Sequence, residues 1–126
     1  MSESISVHRH FFAGSDVSQP GLVVETTVLQ GAYMFWVGPC ASEEEKDGAV
    51  EAGRLGRDWA CAMPPLANGE STGTALFRSA AHDAALSMAT RLARRLHSQV
   101  FVGLDVPEGE MLMLAEKKIV TSLALL

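Results

Sequence analysis

The first half of the chain alternates between short apolar runs and turns rich in glycine, proline and polar residues. Apolar and polar residues alternate over 5–12, which predicts a half-buried strand. The run 22–29 is rich in valine and threonine and suits a second strand. Gln30-Gly31 separates this run from the apolar run 32–37, and the whole pattern predicts an antiparallel hairpin.

The segment 42–57 has a different composition, with a cluster of acidic residues followed by scattered glycines. It predicts a flexible, solvated loop that could contain one short helical turn. Strand-like composition resumes at 58–63, where large side chains alternate with small ones, and again at 72–77.

Helical spacing replaces the strand pattern after Ser79, a candidate N-cap residue. A single helical face carries the apolar residues Ala81, Ala84, Ala85, Met88, Leu92 and Leu96. This spacing predicts one long helix. We expect a strand over 99–104, a turn at 107–109, a hairpin partner over 111–114 and a short C-terminal helix over 116–125.

These elements predict an α+β fold in a single domain, 1–126. We expect an antiparallel β-sheet core of about six to seven strands, flanked by the long helix and the short C-terminal helix. Because strand–helix–strand units do not recur, a doubly wound parallel sheet is not expected. A chain of 126 residues with 48% hydrophobic residues is long enough to bury one core.

Composition narrows the classes of partner. The net charge of −5 disfavours nucleic acid, because phosphate recognition needs a dense basic surface. No apolar run approaches the roughly 20 residues that cross a bilayer, so no membrane partner is expected. The first residues lack the features of a secretory signal, which predicts a cytoplasmic or nuclear location. There, Cys40 and Cys61 are expected to be reduced thiols.

A small serine hydrolase is the enzymatic alternative. Gly69, Ser71 and Gly73 match the Gly-x-Ser-x-Gly pattern of a nucleophile elbow, and an aspartate and a histidine follow in hydrolase order. An elbow needs a strand before the serine and a helix after it, whereas prolines precede Ser71 and a strand-like run follows it. Asp83 and His97 would lie nearly four turns apart on one helix, too far for one to orient the other.

Two other candidate chemistries have less support. His8 and His10 share a strand face and could suit a metal, but the sequence offers no third ligand at a helpful spacing. Glycine-rich phosphate loops and dinucleotide turns do not occur, so no cofactor is expected. We therefore assign no catalytic, cofactor-binding or metal-binding residues.

The basic residues Arg91, Arg94 and Arg95 form a patch near the end of the long helix of an acidic protein. The patch suits either a solvated helix end or docking onto an acidic partner, because the planar guanidinium fits carboxylates. The strand-like segments also contain Met34, Met63, Met111 and Met113, which could line an adaptable binding surface but more often fill a core.

Several short segments, taken in their order along the chain, resemble the proteasome assembly chaperone 4 family. They are Met34-Phe35-Trp36-Val37-Gly38, Ser71-Thr72-Gly73-Thr74-Ala75-Leu76, Leu92-Ala93-Arg94-Arg95 with Gln99-Val100-Phe101-Val102, and Leu112-Met113-Leu114-Ala115-Glu116-Lys117. The resemblance extends over roughly residues 22–119. Its specificity comes from the series and the spacing, because each segment is short and made of common residues.

The resemblance implies a chaperone without enzymatic activity, built on an antiparallel sheet with flanking helices. It implies a heterodimer with the related proteasome assembly chaperone 3. This pair would help alpha-type subunits of the 20S proteasome core particle form their ring, and would then leave. The segments 42–56 and 78–81 are longer than the family pattern leads us to expect.

A generic dimerisation scaffold without a proteasome role stays open as an alternative. An isolated chain could also form a homodimer, because a sheet edge left exposed by a missing partner invites self-pairing.

Overall fold

A computed structural model describes residues 5–14, 21–53, 58–65, 72–77, 84–106 and 110–126. Within these residues the strands are β1 (Ser6–Phe12), β2 (Leu22–Leu29), β3 (Ala32–Pro39), β4 (Trp59–Ala62), β5 (Gly73–Phe77) and β6 (Gln99–Leu104). The helices are α1 (Lys46–Ala52), preceded by a 3-10 turn at Glu43–Glu45, α2 (Ala84–Leu96) and α3 (Glu110–Ala124). The predicted α+β fold class is confirmed.

The described strands form one six-stranded sheet in the order β1-β2-β3-β6-β4-β5. The pairs β1–β2, β2–β3, β4–β6 and β4–β5 are antiparallel, as predicted. The pair β3–β6 is parallel, which the sequence did not predict. Parallel neighbours are joined by a long crossover rather than a tight turn, and local periodicity does not show which distant strands pair.

The β2–β3 hairpin forms where it was predicted. Leu29 pairs with Ala32, so Gln30 and Gly31 alone connect the strands. Gly31 has a φ of 74°, in the left-handed region where a Cβ is disfavoured. The pairing continues to Pro39, so β3 is two residues longer than the predicted 32–37.

One face of the sheet forms the main core beneath α2 and α3. Helix α2 packs on β4, β5 and β6, and α3 packs on β2 and β3. The apolar face predicted for the long helix is confirmed, because Ala85, Met88 and Leu92 are buried. Ser79 and Ala81 lie outside the described residues. Burial of each large apolar side chain in this core stabilises the fold by about 1.5–3 kcal/mol of transfer free energy. The strand residues of this core include Leu22, Val24, Phe35, Val37, Val100 and Val102.

The opposite face carries a smaller core around Trp36, which is 2% exposed. Ala49 and Val50 of α1 pack against this core. Gly38 and Gly53 approach the Trp36 indole so closely that a Cβ at either position would overlap carbons Cζ2 and Cη2 of the ring. A side chain at either position would therefore displace the indole.

Helix α1 lies in the segment 42–57, where the sequence predicted a flexible loop with at most a short helical turn. Lys46 Nζ pairs with Glu43 Oε2 at 2.6 Å, and Arg9 of β1 donates to Asp47 Oδ1 at 2.8 Å. The Lys46–Glu43 pair is local to this segment, whereas the Arg9–Asp47 pair and the packing against Trp36 attach the helix to the sheet. The acidic composition hid the helix, because the exposed side of a short helix and a solvated loop carry the same residue types.

Helix α3 replaces two predicted elements. The sequence predicted a strand over 111–114 and a short helix over 116–125, but one 15-residue helix spans Glu110–Ala124. Ala115, Ile119 and Ser122 are buried at helical spacing, and Ser122 Oγ lies 3.5 Å from Thr26 Oγ1 of β2. Methionine and leucine favour helices, so the apolar run 111–114 was compatible with both structures. None of the described helices is long and apolar enough to cross a membrane.

Substitution of Gly38 by alanine is expected to lower the free energy of unfolding by about 1–3 kcal/mol, because the added methyl group overlaps the Trp36 ring. Gly48 provides a matched control inside α1, where an added Cβ would meet no atom within 4 Å. Gly48→Ala is expected to raise the free energy of unfolding by about 0.5–1 kcal/mol, the helix-propensity gain. Urea denaturation measures both, and equal shifts for the two variants would contradict the packing described around Trp36.

Candidate functional site

A row of uncharged side chains crosses the side of the sheet opposite α2 and α3. Strand register aligns one residue from each strand of the sheet, and we call this row the open face: Val7, Thr27, Met34, Phe101, Cys61 and Thr74. Every member of the open face is exposed or half-buried. Charge is absent along this row from one sheet edge to the other.

Large apolar side chains extend the open face at both of its ends. Val7 is 55% exposed on edge strand β1, and Leu76 is 50% exposed on edge strand β5. Met63, directly after β4, is 48% exposed. Several exposed apolar side chains beside an uncharged row are typical of a protein-interaction site.

The described helices leave the open face uncovered. Helix α1 lies on the same side of the sheet but packs around Trp36, two positions along β3 from Met34. The sequence left Met34 and Met63 undecided between core and binding surface, and the structure places both on the open side. Alternation in β3 shows only that Met34 and Trp36 share a second apolar face, which points away from Phe35 and Val37.

The arginines Arg91, Arg94 and Arg95 are all exposed on α2, as a partner contact requires, but their surroundings differ. Arg91 donates to Glu116 of α3, with Nη2 at 2.6 Å and Nε at 3.1 Å from Oε1. These hydrogen bonds with Glu116 raise the pKa of Arg91 above its ordinary value. Arg95 lines a groove beside this pair, and Arg94 does not.

The groove lies between α2 and α3 and has a volume of about 730 Å³. Its walls are Arg91, Arg95, Met113, Glu116, Lys117, Val120 and Thr121, and we call it the α2–α3 groove. A smaller cavity of about 190 Å³ shares Arg91, Met113 and Glu116 with it. The ion pair between Arg91 and Glu116 therefore lies where the two cavities meet.

The serine motif has the wrong context for a nucleophile elbow. Ser71 and Asp83 lie outside the described residues, and His97 is exposed directly after α2 with a φ of 51°. Strand β5 begins at Gly73, so a strand follows the motif where an elbow requires a helix.

The two strand histidines stack against each other, with ring centroids 6.5 Å apart and planes 7° from parallel. His8 Nε2 lies 3.1 Å from Ser6 Oγ, within hydrogen-bond distance. Nδ1 of His10 is buried without a hydrogen-bond partner in the described part of the chain. No group of three His, Cys, Asp or Glu residues that could hold a metal occurs among the described residues.

The six-stranded sheet with α2 and α3 on one side and α1 on the other places the chain among small α+β proteins. The chain belongs to the proteasome assembly chaperone 4 family, whose family model matches residues 21–106. The matched region runs from the start of β2 to the end of β6, so it includes the whole hairpin, α2 and most of the open face. The family resemblance derived from the sequence is thereby confirmed.

A solved structure has a similar fold. The chain is similar to a crystal structure described as a novel chaperone complex for yeast 20S proteasome assembly, with a TM-score of 0.58 and 16% sequence identity. The alignment covers 96% of this chain and 92% of that one, and it supports the fold. No curated protein sequence matches the chain significantly. Membership of the family supports a role in proteasome assembly.

The half-buried position of His10, whose Nδ1 atom is enclosed, predicts loss of stability in acid. Burial lowers the pKa of His10 below its ordinary value, and the positive charges of His8 and Lys46 lower it further, against a weaker opposing effect of Glu43. As the pH falls through the ordinary value, the unfolded chain binds a proton that folded His10 resists, so the free energy of unfolding falls.

His10→Gln removes this proton-binding difference. The variant is expected to lose less stability than the unmodified chain between about pH 7 and pH 5, measured by urea denaturation at each pH. His97→Asn is the control, because His97 is exposed and asparagine tolerates its positive φ. A pH dependence unchanged in His10→Gln would show that the protonation of His10 is not coupled to folding.

Proposed function

We propose that this chain is a non-enzymatic chaperone that pairs with a related protein similar to proteasome assembly chaperone 3. The pair would promote assembly of the alpha ring of the 20S proteasome core particle, in the cytoplasm or the nucleus. Membership of an assembly chaperone family supports the proposal, as does the similarity to a chaperone complex for yeast 20S proteasome assembly. The single observation that carries the pairing step is the uncharged open face.

The open face suits another apolar sheet. Two sheets pack face to face about 10 Å apart when their facing side chains are apolar and uncharged. Met34 and Phe101 pair directly across β3 and β6 at the middle of the open face, where binding energy is usually concentrated. A partner sheet would cover both side chains without burying an unpaired charge, because the row carries no charge.

The two sides of the sheet then have separate roles. Pairing with the related chaperone uses the open face, and the side that carries α2 and α3 is left for a proteasome alpha-type subunit. Such a pair would hold the subunit in a pose that can join the ring, and would dissociate as the growing particle covers the shared surface. A complex that must dissociate needs a fast off-rate, which suits an interface of moderate affinity.

Phe101→Asp and Met34→Asp each place a charge in the middle of the open face. Each is expected to weaken pairing with the related chaperone by more than about tenfold, because an unpaired charge would be buried in the interface. Both side chains are half-buried at the sheet surface, so both variants are expected to fold. Co-purification of tagged chain with the partner chaperone and with alpha-type subunits is the measurement.

Leu125→Asp is the matched control, because Leu125 is 57% exposed after α3, which packs on the side of the sheet opposite the open face. It is expected to leave pairing unchanged. Capture of the partner chaperone by Phe101→Asp at the unmodified level would contradict the proposed interface. Pairing without any capture of alpha-type subunits would instead indicate a dimerisation scaffold that has no role in alpha-ring assembly.

A further inference from the structure

The α2–α3 groove is a basic surface on an acidic chain. Three cations, Arg91, Arg95 and Lys117, line it together with the single carboxylate of Glu116. The chain as a whole has a net charge of −5. Positive charge is therefore concentrated at a concave site between two helices, where a negative ligand would be attracted and partly enclosed.

The cations of the groove are not equivalent. Arg91 is held by Glu116 through hydrogen bonds from Nε and Nη2. Arg95 and Lys117 make no hydrogen bond or ion pair with any other described residue. They are the groove cations that can meet a carboxylate without first breaking an internal ion pair.

The groove also offers apolar surface beside these cations. Met113 is 68% exposed and Val120 is half-buried, and both side chains line the groove. Exposed methionine adapts its shape to different apolar side chains, which makes it common at peptide-binding surfaces. A ligand matched to this groove combines negative charge with at least one apolar side chain.

We propose that the α2–α3 groove binds an acidic peptide segment of a proteasome alpha-type subunit. Carboxylates of this segment would contact Arg95 and Lys117, and one of its apolar side chains would contact Met113. The inference rests on the proposed function, because it takes the alpha-type subunit as the source of the segment. A second copy of this chain fits less well, because two chains of net charge −5 repel each other. Nucleic acid fits less well for the same reason.

Neighbouring arginines on α2 provide a sharp test. Arg95 lines the groove, whereas Arg94 is exposed on the same helix and does not. The probe is a short fluorescein-labelled peptide in which glutamate and leucine alternate, titrated with the full chain and followed by fluorescence anisotropy. Peptides alternating glutamate with serine, or lysine with leucine, test the apolar and charge requirements separately.

The glutamate–leucine peptide is expected to bind best and to weaken as salt is added. Arg95→Glu and Lys117→Glu are each expected to weaken it by about fivefold, and Arg94→Glu by less than about twofold. Met113→Ser is expected to weaken the leucine-containing peptide and to leave the serine-containing one unchanged. Capture of alpha-type subunits is expected to fall in the same order across these variants.

Equal effects of Arg94→Glu and Arg95→Glu on peptide binding would overturn the groove inference, as would tighter binding of the lysine–leucine peptide. A change of oligomeric state in Arg95→Glu alone, seen by sedimentation, would also overturn it by identifying a second copy as the occupant. Alpha-subunit capture unaffected by Arg95→Glu but lost in Phe101→Asp would leave the proposed function standing and remove the groove from it. Failure of the proposed function itself would appear as no capture by the unmodified chain.

Discussion

The parallel pairing of β3 with β6 is the constraint on which the rest of the structure depends. Adjacent parallel strands cannot be joined by a tight turn, so the chain between them has to return to the end of the sheet where β3 began. That return contains α1 on one side of the sheet and α2 on the other, with β4 and β5 added beyond β6. The same pairing leaves β1 and β5 as the two edges.

Both candidate surfaces follow from this strand pair. On one side, Met34 of β3 and Phe101 of β6 are register partners and form the middle of the open face. On the other side, α3 packs on β2 and β3 while α2 packs on β4, β5 and β6, so the groove between the helices lies over the junction of the two halves. The sheet therefore separates the two surfaces, so a partner bound at one would not obstruct a partner bound at the other.

Sequence reasoning succeeded where the structure is set locally. Strands β2 and β6 begin and end at the predicted residues, and the buried side of α2 follows its apolar spacing.

Sequence reasoning failed where contacts between distant residues decide the structure. Whether the run 111–114 joins a sheet or a helix depends on packing against β2 and β3, and the attachment of α1 depends on Trp36 and Arg9. The open face could not be predicted from the sequence, because a strand pattern shows two apolar faces without showing which one lacks a covering helix. The role of Arg91 was hidden likewise, since its partner Glu116 lies 25 residues away.

The uncharged open face has a consequence for the abundance of this protein in the cell. Under the proposed function, a copy that has not met its partner would present this uncharged row to the surveillance machinery that recognises unassembled polypeptides. Its lifetime, and so its abundance, would follow the supply of the partner rather than its own rate of synthesis. Surplus copies would then be degraded by the proteasome, the same particle that the paired copies help to assemble. The amount of this assembly chaperone would therefore be limited by the amount of its partner.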